Sequence, residues 1–166
     1  LLDDFHERNG EIKYMKQSNA VILSNAPIAR DVFKMDLRTD LAPMAKPGQF
    51  VQVAVPGFFL RRPISVSWTE GDVLRIVYKI MGNGTDKMSS MKPGEELSLL
   101  GPLGTGFPIK DEKEVVIMGG GVGTPPMLKT AKAYLDQGSK VDVILGFNTA
   151  QDVFYVDEFE QLGISP

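Results

Sequence analysis

Leu60-Arg61-Arg62-Pro63-Ile64-Ser65-Val66-Ser67 is a short apolar run that carries two adjacent cations, a proline and two hydroxyls. It reads as a strand. Arginine grips phosphate through two parallel hydrogen bonds, and a serine hydroxyl both donates and accepts. A strand with both predicts one wall of a pocket for a ligand that is anionic at one end and flat and polar at the other. A flavin nucleotide meets that description. The same arginines on an edge strand would serve as plain surface, so the sequence around them has to decide.

Outward from this segment, residues 16–101 are β-rich. Asn19–Ser24 is an apolar strand, Val32–Arg38 and Gln49–Val55 alternate apolar with polar residues, Leu60–Trp68 carries the arginines, and Asp72–Ile80 and Glu95–Leu100 complete the series. Turn residues such as Lys46-Pro47-Gly48, Pro56-Gly57 and Lys92-Pro93-Gly94 separate them. Six short strands with turns between them predict a small antiparallel barrel. One helix interrupts, from Gly82-Asn83-Gly84 into Thr85–Met91, with Thr85 or Asp86 as its cap and Met88 and Met91 on one face for the core. The start of that helix, Gly84-Thr85, reads as a second phosphate site. If Val77–Lys79 lies beside Arg62–Ser65, the pocket is lined by two cations, hydroxyls, Tyr78 and apolar groups.

After Gly101-Pro102-Leu103-Gly104 the pattern changes. Glu114–Met118 and Lys140–Phe147 are continuous apolar runs, as in strands covered on both faces. Between them lies Gly119-Gly120-Gly121-Val122-Gly123-Thr124-Pro125-Pro126-Met127, then a helix to about Gln137, which Gly138 stops. Residues 152–161 pass from a turn or short strand into another helix. This is a βαβ unit at the start of a parallel sheet. The glycines let a backbone approach phosphate, and the helix start offers free amides. The pattern is G-x-G-x-x-P, with Pro126 where the usual dinucleotide fingerprint has glycine. The expected division is an extension at 1–15, a barrel at 16–108 and a partial nucleotide-binding α/β domain at 109–166. So few parallel strands make a small domain, and a fragment of a longer chain is expected.

Composition narrows the chemistry. A net charge of −3 over 166 residues gives no basic face for nucleic acid. No cysteine is present, so these residues hold no disulfide, thiolate zinc site or cysteine-ligated cluster, and His6 as the one histidine makes a Ser-His-Asp triad a poor fit. No apolar run approaches the roughly 20 residues of a membrane span. The charged start, Leu1-Leu2-Asp3-Asp4-Phe5-His6-Glu7-Arg8, is unlike a signal peptide and reads as a short helix or an unordered arm. A cytoplasmic protein without membrane contact is expected. The acidic residues of 111–114 and 152–160 read as solvated charge, and Trp68 as packing.

Taken in order, R-x-x-S on a barrel strand, a glycine-led helix, K-P-G-E, G-P-x-G and G-G-G-V-G-T-P-P-M resemble the ferredoxin–NADP reductase superfamily over nearly the whole chain after residue 16. Within it, Arg-Arg-Pro-Ile-Ser and the glycine loop look most like the electron-transfer subunits of type B, NAD-dependent dihydroorotate dehydrogenases. The resemblance implies an FAD-binding barrel followed by a truncated ferredoxin reductase-like nucleotide domain. It implies Arg62, Pro63, Ile64 and Ser65 as the FAD motif, with Arg62 on the pyrophosphate and Ser65 near the reactive edge of the isoalloxazine. Val77, Tyr78 and Lys79 become a second flavin-contacting strand, Gly84 and Thr85 phosphate contacts, and Gly121, Gly123 and Pro126 the NAD loop. Ile64 stands where many superfamily members stack an aromatic residue on the flavin, which suits the dihydroorotate subunits. The implied partner is an FMN-bearing catalytic subunit in a heterotetramer, reached through a [2Fe-2S] cluster whose cysteines this chain does not carry, with NAD as the other electron partner and a role in pyrimidine biosynthesis. No acid–base residue is needed for hydride transfer, and none is singled out. Two other readings stand beside it: a stand-alone NAD(P)H-dependent flavin or ferredoxin reductase, and a non-catalytic barrel that serves as an interaction module.

Overall fold

The computed structural model describes residues 15–166 and two strand segments before them, Glu7–Arg8 (β1) and Glu11–Ile12 (β2), which pair antiparallel. His6 and most of the extension, where a helix or arm was expected, lie outside the described residues.

Period-two alternation builds the barrel. The strands β3 (Lys16–Ala29), β4 (Val32–Arg38), β5 (Phe50–Ala54), β6 (Arg62–Glu70), β7 (Val73–Lys79) and β8 (Glu96–Leu103) close in the order β3-β4-β7-β6-β5-β8. Their inward residues include Ile22, Met35, Leu37, Val51, Val53, Val66, Leu74, Ile76 and Leu99, all fully buried. Each such side chain contributes roughly 1.5–3 kcal/mol of transfer free energy. Leu41 and Ala42, at a 3-10 turn, add to the same core. So do Met88, in helix α1 (Asn83–Ser89), and Met91 just after it, as their spacing suggested.

The first strand is longer than Asn19–Ser24. It spans 14 residues and serves two neighbours in turn, β8 over Lys16–Val21 and β4 over Val21–Ala29. Register shifts at Ile22/Ser24 and Pro27/Ala29 let it bend around the barrel. Pro27 falls after the pairing with β8 has ended, where its missing N–H breaks no rung on that side.

The second unit holds β9 (Glu114–Gly120) and β10 (Lys140–Gly146), parallel from Lys140↔Glu114 to Gly146↔Gly120. Helix α2 (Pro125–Asp136) connects them and lies between this sheet and barrel strand β6, and α3 (Val156–Glu160) follows. Ile117, Leu128, Ala131, Val141, Val143 and Phe159 form a second core with Val32 and Val77 of the barrel. Polar contacts rim this junction: Arg30–Asp152 at 3.0 Å, Lys34–Glu158 at 3.0 Å, and Lys129 Nζ donating to Thr69 Oγ1.

One expectation is corrected. β9 and β10 are covered on one face only. Ile117, Val141 and Val143 point to α2, whereas Val116, Met118 and Ile144 are 61%, 68% and 52% exposed. A continuous apolar run reports that both faces are apolar. Among the described residues, helix α2 covers one of them. No helix among the described residues is long and apolar enough to cross a membrane.

Candidate functional site

The ladder between β6 and β7 stops early. It runs Glu70↔Val73, Thr69↔Leu74 and Trp68↔Arg75, passes a bulge, and makes its last rung at Val66↔Ile76. Beyond that point Arg62–Ser65 pair only with β5, and Val77–Lys79 pair only with β4. The two segments are adjacent in the barrel yet not bonded to each other. Their facing N–H and C=O groups are thus available to a planar, polar ligand. Ile64 and Val66 point into the barrel core, so alternation sets Pro63 and Ser65 on the outer face. On β7 the same alternation buries Tyr78 in the barrel and turns Val77 and Lys79 outward.

The side chains at this slot divide more sharply than the sequence allowed. Arg61 does not line it: its guanidinium donates to Gln52 O, Ser98 O and Ser98 Oγ at 3.3, 3.1 and 3.3 Å, tying β5 to β8. Of the two adjacent arginines, only Arg62 is left to the slot, with Lys79 across from it on β7. Arg62 bonds the carbonyl of Leu60 and lies over the Phe58 ring at 4.7 Å. Tyr78 offers its backbone and not its phenol, which stacks on Phe33 and donates to Asn25 Oδ1 at 2.9 Å. Burial holds that phenol above its ordinary pKa. Asn25, which the sequence reading passed over, also donates to Met88 O and Met91 O at 2.9 and 3.0 Å, so one amide fixes both Tyr78 and the end of α1.

Arg62 and Gly84, far apart in sequence, meet here. A Cβ built on Gly84 would overlap the Arg62 guanidinium, so only glycine admits the cation against the first turn of α1. The cap is Gly82, not Thr85 or Asp86. Thr85 Oγ1 instead accepts from the amides of Met81 and Gly82 at 2.9 and 3.3 Å, which squares off the chain entering the helix. No side chain caps the helix, so its first amides remain open toward an anion beside a guanidinium. A diphosphate fits that cradle.

The glycine loop forms another wall. Gly121–Gly123 make a 3-10 turn packed against β7, with Gly121 at φ 49° and open space about both Gly121 and Gly123. Gly119 is required for a different reason: a Cβ there would come 2.8 Å from Thr124 Cα, where α2 begins. Pro125 and Pro126 are buried in the first turn of α2 and offer no N–H. The Thr124 hydroxyl is the one buried side-chain polar atom without a partner among the described residues. Lys79 lies near Asp152, whose carboxyl is held below its usual pKa by hydrogen bonds from Thr149 and Arg30.

A closed antiparallel barrel joined to a parallel nucleotide-type unit, with a split strand pair and a glycine loop beside it, is a ferredoxin reductase-like fold. Solved structures agree. An NADH-dependent reduced ferredoxin-NADP oxidoreductase matches with TM-score 0.81 and 31% identity, covering 87% of this chain and 54% of its own. An Amycolatopsis cytochrome P450 reductase matches with TM-score 0.83 and 28% identity, covering 93% and 50%. In particular, the chain resembles the electron-transfer subunit of dihydroorotate dehydrogenase B (NAD(+)): that of Fusobacterium nucleatum is 37% identical over 158 residues, 90% of this chain, and that of Shouchella clausii 37% over 157 residues, 89% of it. The chain spans 61% of the length of each of these relatives. No family model matches it.

Proposed function

We propose that this chain is the flavin-binding part of an oxidoreductase electron-transfer subunit, of the kind that serves a type B dihydroorotate dehydrogenase in pyrimidine synthesis. Residues 16–108 are its FAD-binding barrel and 109–166 part of its NAD-binding unit. The observation that carries the reading is the Arg62–Gly84 approach at the end of the β6/β7 slot. It sets a cation and uncapped helix amides at one end of a slot whose walls are unpaired backbone, as a dinucleotide with a flat, polar ring system requires.

In this reading Arg62, Gly84 and Thr85 hold the FAD diphosphate. Pro63, Ser65 and the backbone of Ile64 on one side, and the backbone of Val77, Tyr78 and Lys79 on the other, flank the ring; the Ile64 side chain is turned into the barrel core and does not take the stacking position. Gly121 and Gly123 present the NAD nicotinamide against it, with Pro126 buried behind them in the first turn of α2. Bound FAD would supply exchange between a two-electron carrier and one-electron carriers. The protein's own work is to bind, orient and exclude water, and no side chain here is assigned a proton to move. The further partners are an FMN-containing catalytic subunit in a heterotetramer and a [2Fe-2S] cluster between them, in the cytoplasm, with no nucleic acid or membrane. The cluster's thiolates lie outside these residues, which contain no cysteine.

The test is spectroscopic. Protein expressed from the complete gene is purified, titrated with FAD and mixed with NADH without oxygen. A flavin absorbance band that bleaches with NADH is expected. A protein that takes up no FAD refutes the reading and leaves the interaction-module alternative.

A further inference from the structure

We infer that the hydrogen bond between Tyr155 and Ser67 is a positioning contact that sets the glycine loop against the flavin slot. It rests on the function proposed above and concerns two residues to which that function assigns no role.

Ser67 is the extra residue of the bulge between Val66 and Trp68, next to the last rung, Val66↔Ile76, before β6 and β7 part. It is fully buried. Its hydroxyl proton goes to Arg75 O at 3.2 Å, so its oxygen accepts from Tyr155 OH at 3.0 Å. The tyrosine keeps its proton to donate at neutral pH, because burial pushes its pKa up to about 12. Tyr155 comes from the other unit. It begins α3 in the left-handed region, at φ 73°, a conformation uncommon for a residue with a Cβ and kept only when its surroundings dictate it. Those surroundings are on hand: Tyr155 is 3% exposed, its carbonyl accepts from Phe159 N at 3.3 Å, and its ring meets Phe154 edge-on at 5.9 Å. Phe154 in turn meets Phe147 at 5.2 Å, the residue that follows β10, where Gly146 registers with Gly120. A continuous run of contacts thus links the point where the slot opens to the strand end that carries the loop.

Transfer between nicotinamide and flavin needs reacting atoms about 3–3.5 Å apart, and a misplacement near 1 Å can lower the rate by on the order of a hundredfold. Tyr155→Phe removes the hydroxyl and keeps the ring. In flavin-loaded protein from the complete gene, FAD and NAD+ affinities should stay unchanged. The rate of flavin reduction at saturating NADH should fall by about tenfold or more. The long-wavelength charge-transfer absorbance of the nicotinamide–flavin pair, which reports juxtaposition and not turnover, should weaken with it. Ser67→Ala should do the same, and the double variant no more than either. If both single variants keep the rate and the charge-transfer band, whatever their melting temperatures, the inference is wrong. Wild-type protein that binds no FAD would instead overturn the function itself.

Discussion

Replacing Gly84 by alanine separates ligand binding from folding at one atom. Gly84 lies in the first turn of α1, buried, with no positive φ. Alanine there adds helix propensity, roughly 0.5–1 kcal/mol in favour of folding. Its methyl would overlap the Arg62 guanidinium, the far end of a flexible side chain, so Arg62 swings away and the fold survives. What is lost is the charge-assisted contact of that guanidinium with the diphosphate, about 1.5–3 kcal/mol, or roughly a 10- to 150-fold rise in FAD Kd. The assay pairs a fluorescence titration of FAD with thermal melting of the FAD-free protein. The expected result is weaker binding at an equal or higher Tm. Gly82→Ala is the control, since nothing lies within 4 Å of a Cβ there. Arg62→Ala should match Gly84→Ala, and combining them should add little, because both remove the same contact. Wild-type FAD affinity in Gly84→Ala, or a full further loss in the double variant, would refute the reasoning.

Three other outcomes are expected. Asn25→Ala strands the Tyr78 hydroxyl and the carbonyls of Met88 and Met91, and urea unfolding should show a loss of about 1–3 kcal/mol. Gly119→Ala pushes a methyl into the Thr124 backbone, which cannot swing aside as a side chain can; a loss of about 1–3 kcal/mol and weaker NAD+ binding should appear together in melting and calorimetry. In alkali, the unfolded chain loses the Tyr155 proton near pH 10.0 while the native state keeps it to about 12. The tyrosine's contribution is then complete below pH 10.0 and lost as pH rises through about 12, so stability should fall across that window and fall less steeply in Tyr155→Phe; equal slopes would contradict it.

Much of the barrel was legible because its strands alternate. Val32–Arg38 has the bounds its pattern suggests, and Met88 and Met91 are in the core. The long first strand read short because its bulges and Pro27 break the alternation that marks a strand. Strands β9 and β10 read as doubly covered because apolar composition shows what a face prefers, not what lies on it. Arg61 and Arg62 were inseparable in sequence: neighbours on a strand point to opposite faces, but nothing local says which face holds the ligand. The Arg62–Gly84 approach and the Ser67–Tyr155 bond, the latter 88 residues apart, depend on closure of the fold and have no local signature.

Closure of the barrel also has a consequence in time. Its first strand, β3, makes six of its thirteen rungs with its last, β8, from Lys16↔Gly101 to Val21↔Glu96. Pairings this remote in sequence fold slowly, in milliseconds to seconds for β-rich domains. On a ribosome that adds roughly 5–20 residues per second, β3 emerges seconds before its partner exists. The outer four residues of the edge that waits, Lys16, Gln17, Ser18 and Asn19, carry no apolar side chain, and only Ala20 and Val21 beyond them do. Such an edge is a poor template for another nascent chain, and the wait for β8 is correspondingly safe.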